Sequence, residues 1–217
     1  MPSAADRREM ILAAMAAAAK IAGRDPAGVQ LIAVSKGRSA EEIEPLIAAG
    51  QRDFGESRVQ EALDKWPPLV ARHPDIRLHG IGRLQTNKAE DAVRLFSVIH
   101  AVDRTGLVDA LVKAADKAGR TPAVYVQVNI GEEEQKGGCA IADAGDLLAK
   151  VRASPLPLAG LMAIPPAGVE PGPYFALLAK IARRHDVAGL SMGMSGDFRA
   201  AIMLGATAVR IGTALFE

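Results

Sequence analysis

Aromatic residues are scarce in this chain of 217 residues: one tryptophan, two tyrosines and five phenylalanines, 4% in all. Proteins that hold single-stranded nucleic acid need aromatic faces for the bases to stack on. A net formal charge of +1 supplies no field to gather a polyanion or an anionic membrane either. Neither nucleic acid nor a membrane is an expected partner. Cysteine is scarcer still. Cys139 stands alone, so no internal disulfide can form, and a reducing, cytoplasmic setting is expected. No apolar run reaches the roughly 20 residues of a membrane span. His73, His79, His100 and His185 form no close pair, so metal-ligand spacing is missing as well. No low-complexity linker divides the chain, and residues 1–217 are expected to form one domain, acting as a monomer.

What remains is an ordinary soluble composition, 49% hydrophobic and 24% charged. The opening stretch "RREMILAAMAAAAKIAG" imitates an export signal, but Asp6 and Glu9 interrupt its positive end. Ser3 and Asp6 instead make a helix start, followed by Ile11, Met15 and Ala18 or Ala19 at helical spacing.

Short β-rich runs then alternate with Ala- and Leu-rich helical segments. The expected strands are Leu31–Ser35, Arg52–Phe54, Arg77–Ile81, Val98–Val102, Ala123–Asn129, Leu158–Ala163, Gly189–Met192 and Ala208–Ile211. Strand and helix repeated eight times implies a parallel sheet with crossover helices, most economically closed as a (β/α)8 barrel with an extra N-terminal helix. An open doubly wound sheet is the alternative, weakened because no G-x-G-x-x-G follows the first strand.

Barrels of this kind work at the C-terminal ends of their strands. There the first strand, "LIAVSKG", ends in Lys36, a cation followed by a flexible glycine. Phosphate is commonly held in the loops after strands seven and eight. "SMGMSGDF" puts Ser195 in the first of those loops and "VRIGT" puts Gly212 and Thr213 in the second. Taken singly, Ser195 reads as a helix cap and Thr213 as barrel closure; two such turns side by side favour a phosphate cup. Arg210, inside an apolar strand, either pairs with a carboxylate or faces the barrel mouth beneath a ring-shaped ligand. A strand-end amine, a phosphate cup and an arginine between them suit pyridoxal 5'-phosphate. The amine forms an imine with its aldehyde and the arginine faces its pyridine nitrogen. Partial desolvation and a cationic neighbour would help Lys36 lose its proton.

The motifs "LIAVSK", "FGESRVQEA", "HGIGRLQTNK", "GLMAIPP", "LSMGMSGDF" and "VRIGTALF" together resemble the pyridoxal phosphate homeostasis proteins, relatives of the N-terminal barrel of alanine racemase. The resemblance spans nearly the whole chain. It implies a fold-type III barrel with the cofactor on Lys36, its phosphate at Ser195, Gly212 and Thr213, and its pyridine nitrogen at Arg210. Three departures mark this chain: Ser57 where the family often has asparagine, Arg83 where other residues are common, and an end at "ALFE" without the usual short basic tail.

Three functional classes are open. The leading one is a protein that holds, buffers or delivers pyridoxal phosphate to apoenzymes that depend on it. Arginine can only donate, so it leaves the pyridine nitrogen unprotonated and the ring a weak electron sink. A racemase also needs a second base, which alanine racemases draw from an added domain that this chain is not expected to carry. A weak amino-acid racemase or lyase is the alternative. A class I aldolase-like barrel is the third, disfavoured because strand six ends in "LMAIPP" without a lysine. Tyr125 is expected to be a packing residue, Tyr174 to occupy a surface loop although it could approach the barrel mouth, His79 to be a hydrogen-bonded strand residue, and Cys139 to be a small buried group. Lys136 is divided between a family "KxG" element and a solvated loop charge.

Overall fold

Eight parallel strands pair in chain order and the last hydrogen-bonds to the first, so the sheet closes on itself. The computed structural model describes residues 2–217. Helix α1 (Ala4–Ile21) precedes the barrel, and Ser3 and Asp6 cap it reciprocally as the sequence predicts. The strands are β1 (Gln30–Val34), β2 (Asp53–Glu56), β3 (Arg77–Gly80), β4 (Val98–Val102), β5 (Ala123–Gln127), β6 (Leu158–Met162), β7 (Leu190–Ser191) and β8 (Ala208–Ile211). Between them run α2 (Ala40–Ala48), α3 (Val59–Arg72), α4 (Ala89–Leu95), α5 (Thr105–Ala118), α6 (Ala144–Arg152), α7 (Gly172–Arg184) and α8 (Phe198–Met203). A short α9 (Thr213–Phe216) follows β8. No described helix is long and apolar enough to cross a membrane.

All eight expected strands form, with ends displaced by a residue or two. Two differ more. β7 is reduced to two residues, and the glycines that flank it still serve its neighbours through their carbonyls, Gly189 accepting from Leu161 and Gly193 from Arg210, each at 2.9 Å. Gly189 lies so close to β6 that an added Cβ would sit 1.9 Å from the Ala159 carbonyl, and Gly193 turns at a φ of +94°. β5 stops at Gln127, since the chain then folds back and Asn129 donates its N–H to the Cys139 carbonyl at 2.9 Å.

Successive strand residues face opposite sides, and here the two sides differ in kind. Leu31, Phe54, Leu78, Ile99, Val124 and Leu161 pack outward with the helices as one apolar layer. In that layer Trp66 of α3 is fully buried and tilts against Phe54 at 5.0 Å between ring centroids. The intervening positions point into the barrel. A Cβ added to Gly55 would meet Ile32 and Ile81 there, and Asp53, His79, His100 and Ser191 join one another by hydrogen bonds inside it.

Candidate functional site

Lys36 follows β1 in a tight turn. Arg38 donates its N–H back to the Ser35 carbonyl at 3.1 Å, and Gly37 at the third position has a φ of +70°. That is a type II turn, whose third residue needs the positive φ that glycine tolerates. The flexible residue behind the lysine is therefore a demand of the turn. A buried polar cluster supports it from below. Lys65 donates to the carbonyls of Ser35 (2.8 Å) and Arg38 (3.1 Å) and pairs with Glu56 at 2.8 Å, while Glu61 receives the Gly37 N–H. Glu56 also accepts from the Ser35 hydroxyl (2.7 Å) and the Trp66 indole (2.9 Å). The turn is thus fixed while Lys36 itself is exposed and makes no ion pair or hydrogen bond among the described residues. The desolvation expected at this amine is not what the fold provides.

All five residues singled out in the sequence, Lys36, Ser195, Arg210, Gly212 and Thr213, line one cavity of about 530 Å³ at the C-terminal end of the barrel. That size is ordinary for a small-molecule site, about 300–1,000 Å³. Four cations, Lys36, Arg38, Arg83 and Arg210, border it, and among the described residues no carboxylate does. Val34, Ile81 and Ile164 supply an apolar wall. Two of the three departures noted above, Ser57 and Arg83, lie on the lining.

Ser195 is not the cap of α8. Asp197 takes the N-cap position, and its carboxylate accepts the Met194 N–H at 2.6 Å. The hydroxyls of Ser195 and Thr213, and the N–H groups of Ser195, Gly196 and Gly212, have no partner among the described residues. Unpartnered donors gathered at one end of a cation-lined cavity fit a phosphate group. Arg210 departs from its simpler reading too. It pairs with no carboxylate, donating instead to the Ser191 hydroxyl at 2.7 Å and the Ala163 carbonyl at 3.1 Å. Those bonds use two of its five N–H groups and leave others for the cavity. Burial pushes its pKa down to about 10, against the opposing pull of Asp197 and Tyr125, so it is still a cation at neutral pH.

The remaining candidates settle outside the cavity. Tyr125 stacks on His100 at 4.4 Å inside the barrel, and Tyr174 is not on a surface loop but packs half-buried on the core in the first turn of α7. Lys136 pairs with Glu133 at 2.6 Å and donates to the Pro165 carbonyl, although its neighbour Gly137 does line the cavity. Cys139 is buried, which pushes its thiol up to about 12 and leaves it unreactive. Sequence reasoning passed over Gln127, which lines the cavity and ties down the Gly137 carbonyl at 3.0 Å, and Ser191 and His100 beneath Arg210. The available signal was their shared inward register in otherwise apolar strands.

Comparison with known proteins identifies relatives of the whole chain. A family model, alanine racemase N-terminal domain, matches residues 12–217. A pyridoxal phosphate homeostasis protein from Pseudomonas aeruginosa is 42% identical over 225 residues, covering 100% of this chain and 96% of the relative. PipY of Synechococcus elongatus, solved with pyridoxal phosphate bound, is 38% identical with a TM-score of 0.81, covering 94% of this chain and 100% of that one. A protein of unknown function from Bifidobacterium adolescentis superposes with a TM-score of 0.92 at 33% identity, covering 98% and 94% of the two chains.

Proposed function

We propose that this chain, which belongs to the pyridoxal phosphate homeostasis protein family, binds pyridoxal 5'-phosphate in the Lys36 cavity and holds it for delivery to dependent apoenzymes, with no substantial turnover of its own. The observation that carries the reading is the convergence of an unpaired amine, a buried guanidinium and a cluster of unpartnered donors on one carboxylate-free cavity. When bound, the cofactor supplies an aldehyde that captures amines and a ring that draws electrons from the captured group. Lys36 offers the amine, free of any competing partner and set on a turn that the Lys65 and Glu56 cluster holds still. Ser195, Thr213 and the N–H of Gly212 receive the phosphate. Arg210 donates to the pyridine nitrogen.

Support for holding over catalysis comes from the same residues. Arg210 is a cation that keeps its protons at neutral pH, so it does not hand one to the ring, and the ring stays a weak electron sink. Neither tyrosine lines the cavity to act as a second base. Borohydride treatment of the loaded protein, followed by peptide mass spectrometry, tests the assignment. The cofactor should be fixed to the peptide containing Lys36, and attachment at Lys88 or Lys136 would overturn it. Chiral chromatography of alanine incubated with the loaded protein should show no inversion; turnover near a typical enzyme rate of ~10 s⁻¹ would replace the holding role with a racemase.

A further inference from the structure

Arg210 is the upper end of a hydrogen-bonded chain that runs down the inside of the barrel. It donates to Ser191 Oγ at 2.7 Å, and that oxygen lies 2.8 Å from His100 Nδ1. His100 Nε2 is 2.9 Å from His79 Nδ1, and His79 Nε2 is 3.0 Å from Asp53 Oδ1. Asp53 in turn accepts from the exposed Arg77, at 2.8 Å from Nε and 2.9 Å from a terminal nitrogen. The five residues from Arg210 to Asp53, joined by four hydrogen bonds, come from the inward positions of β8, β7, β4, β3 and β2. Asp53 opens β2, four residues before the cavity-lining Ser57, so the chain spans roughly 13 Å at ~3.3 Å per residue. It connects the cavity with the opposite end of the barrel.

The chemistry of the two ends gives every link a direction. Arginine can only donate and an ionised carboxylate can only accept. Asp53 is ionised: burial would raise its pKa, but bonds from His79, Arg77 and Gln30 outweigh that and lower it. His79 therefore donates from Nε2. Burial, with the nearby His79 and Arg210, holds His100 well below the usual histidine range and hence neutral. His100 then donates from Nε2 to His79 Nδ1, Ser191 donates its hydroxyl to His100 Nδ1, and the Ser191 oxygen is left to receive Arg210. In the reverse order the Ser191 hydroxyl would need an acceptor, and Arg210 has none to offer. Barrel interiors are usually filled by branched aliphatic residues, and replacing buried ionic groups with apolar ones of similar volume is often neutral or stabilising. Fold stability therefore gives no reason for this chain.

We propose that Asp53, His79, His100 and Ser191 are positioning residues for the cavity: a one-way relay that carries the pull of the Asp53 carboxylate to Arg210 and aims its free N–H groups at the ligand. Bonds aligned head to tail polarise one another, so a change at the far end is felt at Arg210. The proposal rests on the pyridoxal phosphate reading for the identity of the ligand, while the direction of the relay does not.

Two measurements separate them. In ¹⁵N-histidine NMR of the unloaded protein, His79 and His100 should both appear as neutral Nε2–H tautomers. His100 protonated on Nδ1 would overturn the relay whatever the ligand. Adding pyridoxal 5'-phosphate should shift both histidines, although neither lines the cavity; unmoved resonances on a loaded protein would also overturn it. If the wild type takes up no pyridoxal phosphate, the proposed function fails, and the tautomers still decide the relay. Asp53→Asn puts an amide, able to donate or accept, at the lower end. It should bring in second-tautomer signals, raise the Kd for pyridoxal 5'-phosphate about fivefold and move the visible band of the loaded protein, with Asp53→Glu restoring all three. Unchanged tautomers, affinity and band in a folded Asp53→Asn variant would overturn the proposal. Should that variant fail to fold, the two wild-type measurements decide it alone.

Discussion

The inside of the barrel and the layer around it are made from the same strands and follow opposite rules. On β2, Phe54 faces outward into an apolar layer packed against Trp66, while Asp53, one residue earlier, faces inward onto His79. The outer layer holds the fold by removing apolar surface from water. The inner positions bury hydrogen-bonding groups that contribute little net stability and define a geometry instead. Glu56 shows that the division is not absolute: it lies on the outer side, yet its Ser35, Trp66 and Lys65 bonds brace the turn that carries Lys36. Polar groups are buried where something must be aimed, and apolar ones where something must only be held.

Substitutions on the two sides should therefore separate stability from binding. The largest effect is expected from Trp66→Ala, which empties a fully buried site and removes a donor to Glu56. Unfolding in denaturant should show a loss of about 3–5 kcal/mol. A loss below 1 kcal/mol would mean that the outer layer does not carry the fold.

Next comes Ser195→Ala combined with Thr213→Ala. It should weaken pyridoxal 5'-phosphate by about 3 kcal/mol, roughly a hundredfold in Kd, with unfolding moved by less than about 0.5 kcal/mol. Unphosphorylated pyridoxal should lose far less. Equal losses for the two ligands would place the phosphate elsewhere.

A subtler effect is expected from pH. The folded state lowers the pKa of His100, first by burial and then through His79 and Arg210. The unfolded chain therefore binds a proton that the folded one refuses. The stability contribution is complete above the unfolded value of about 6.5 and is lost as pH falls below it. The slope can reach about 1.4 kcal/mol per pH unit. His100→Gln keeps a polar group and removes the titration, so its stability curve should be flatter between pH 5 and about 6.5. Parallel curves for the two proteins would show that His100 does titrate in the folded barrel. The smallest effect belongs to the surface: Lys117→Ala breaks an exposed pair with Glu90 at 2.8 Å and should alter stability by less than about 0.5 kcal/mol.

The eight strands, the closure in chain order and the five cavity residues were legible in the sequence, because each rests on local signals. Period-two apolar runs mark strands, glycine marks turns, and a barrel always gathers its strand ends on one face. Lys36 and Ser195 lie 159 positions apart by their numbering, yet the placement of both at C-terminal strand ends was enough to bring them to one cavity. Only the tertiary structure decided what each polar residue met. Whether Arg210 found a carboxylate or a hydroxyl, whether Ser195 capped a helix, and whether His79 and His100 touched depend on which residues share a layer inside the closed sheet. That layer is set by strand stagger and by irregularities such as the shift between Ile99 and Val102 in β4. Side-chain type and strand register along the chain state which way a group points. The partner across the barrel comes from a distant segment, and a hydrogen bond made or missed at 3 Å is settled only when the ring of strands has closed.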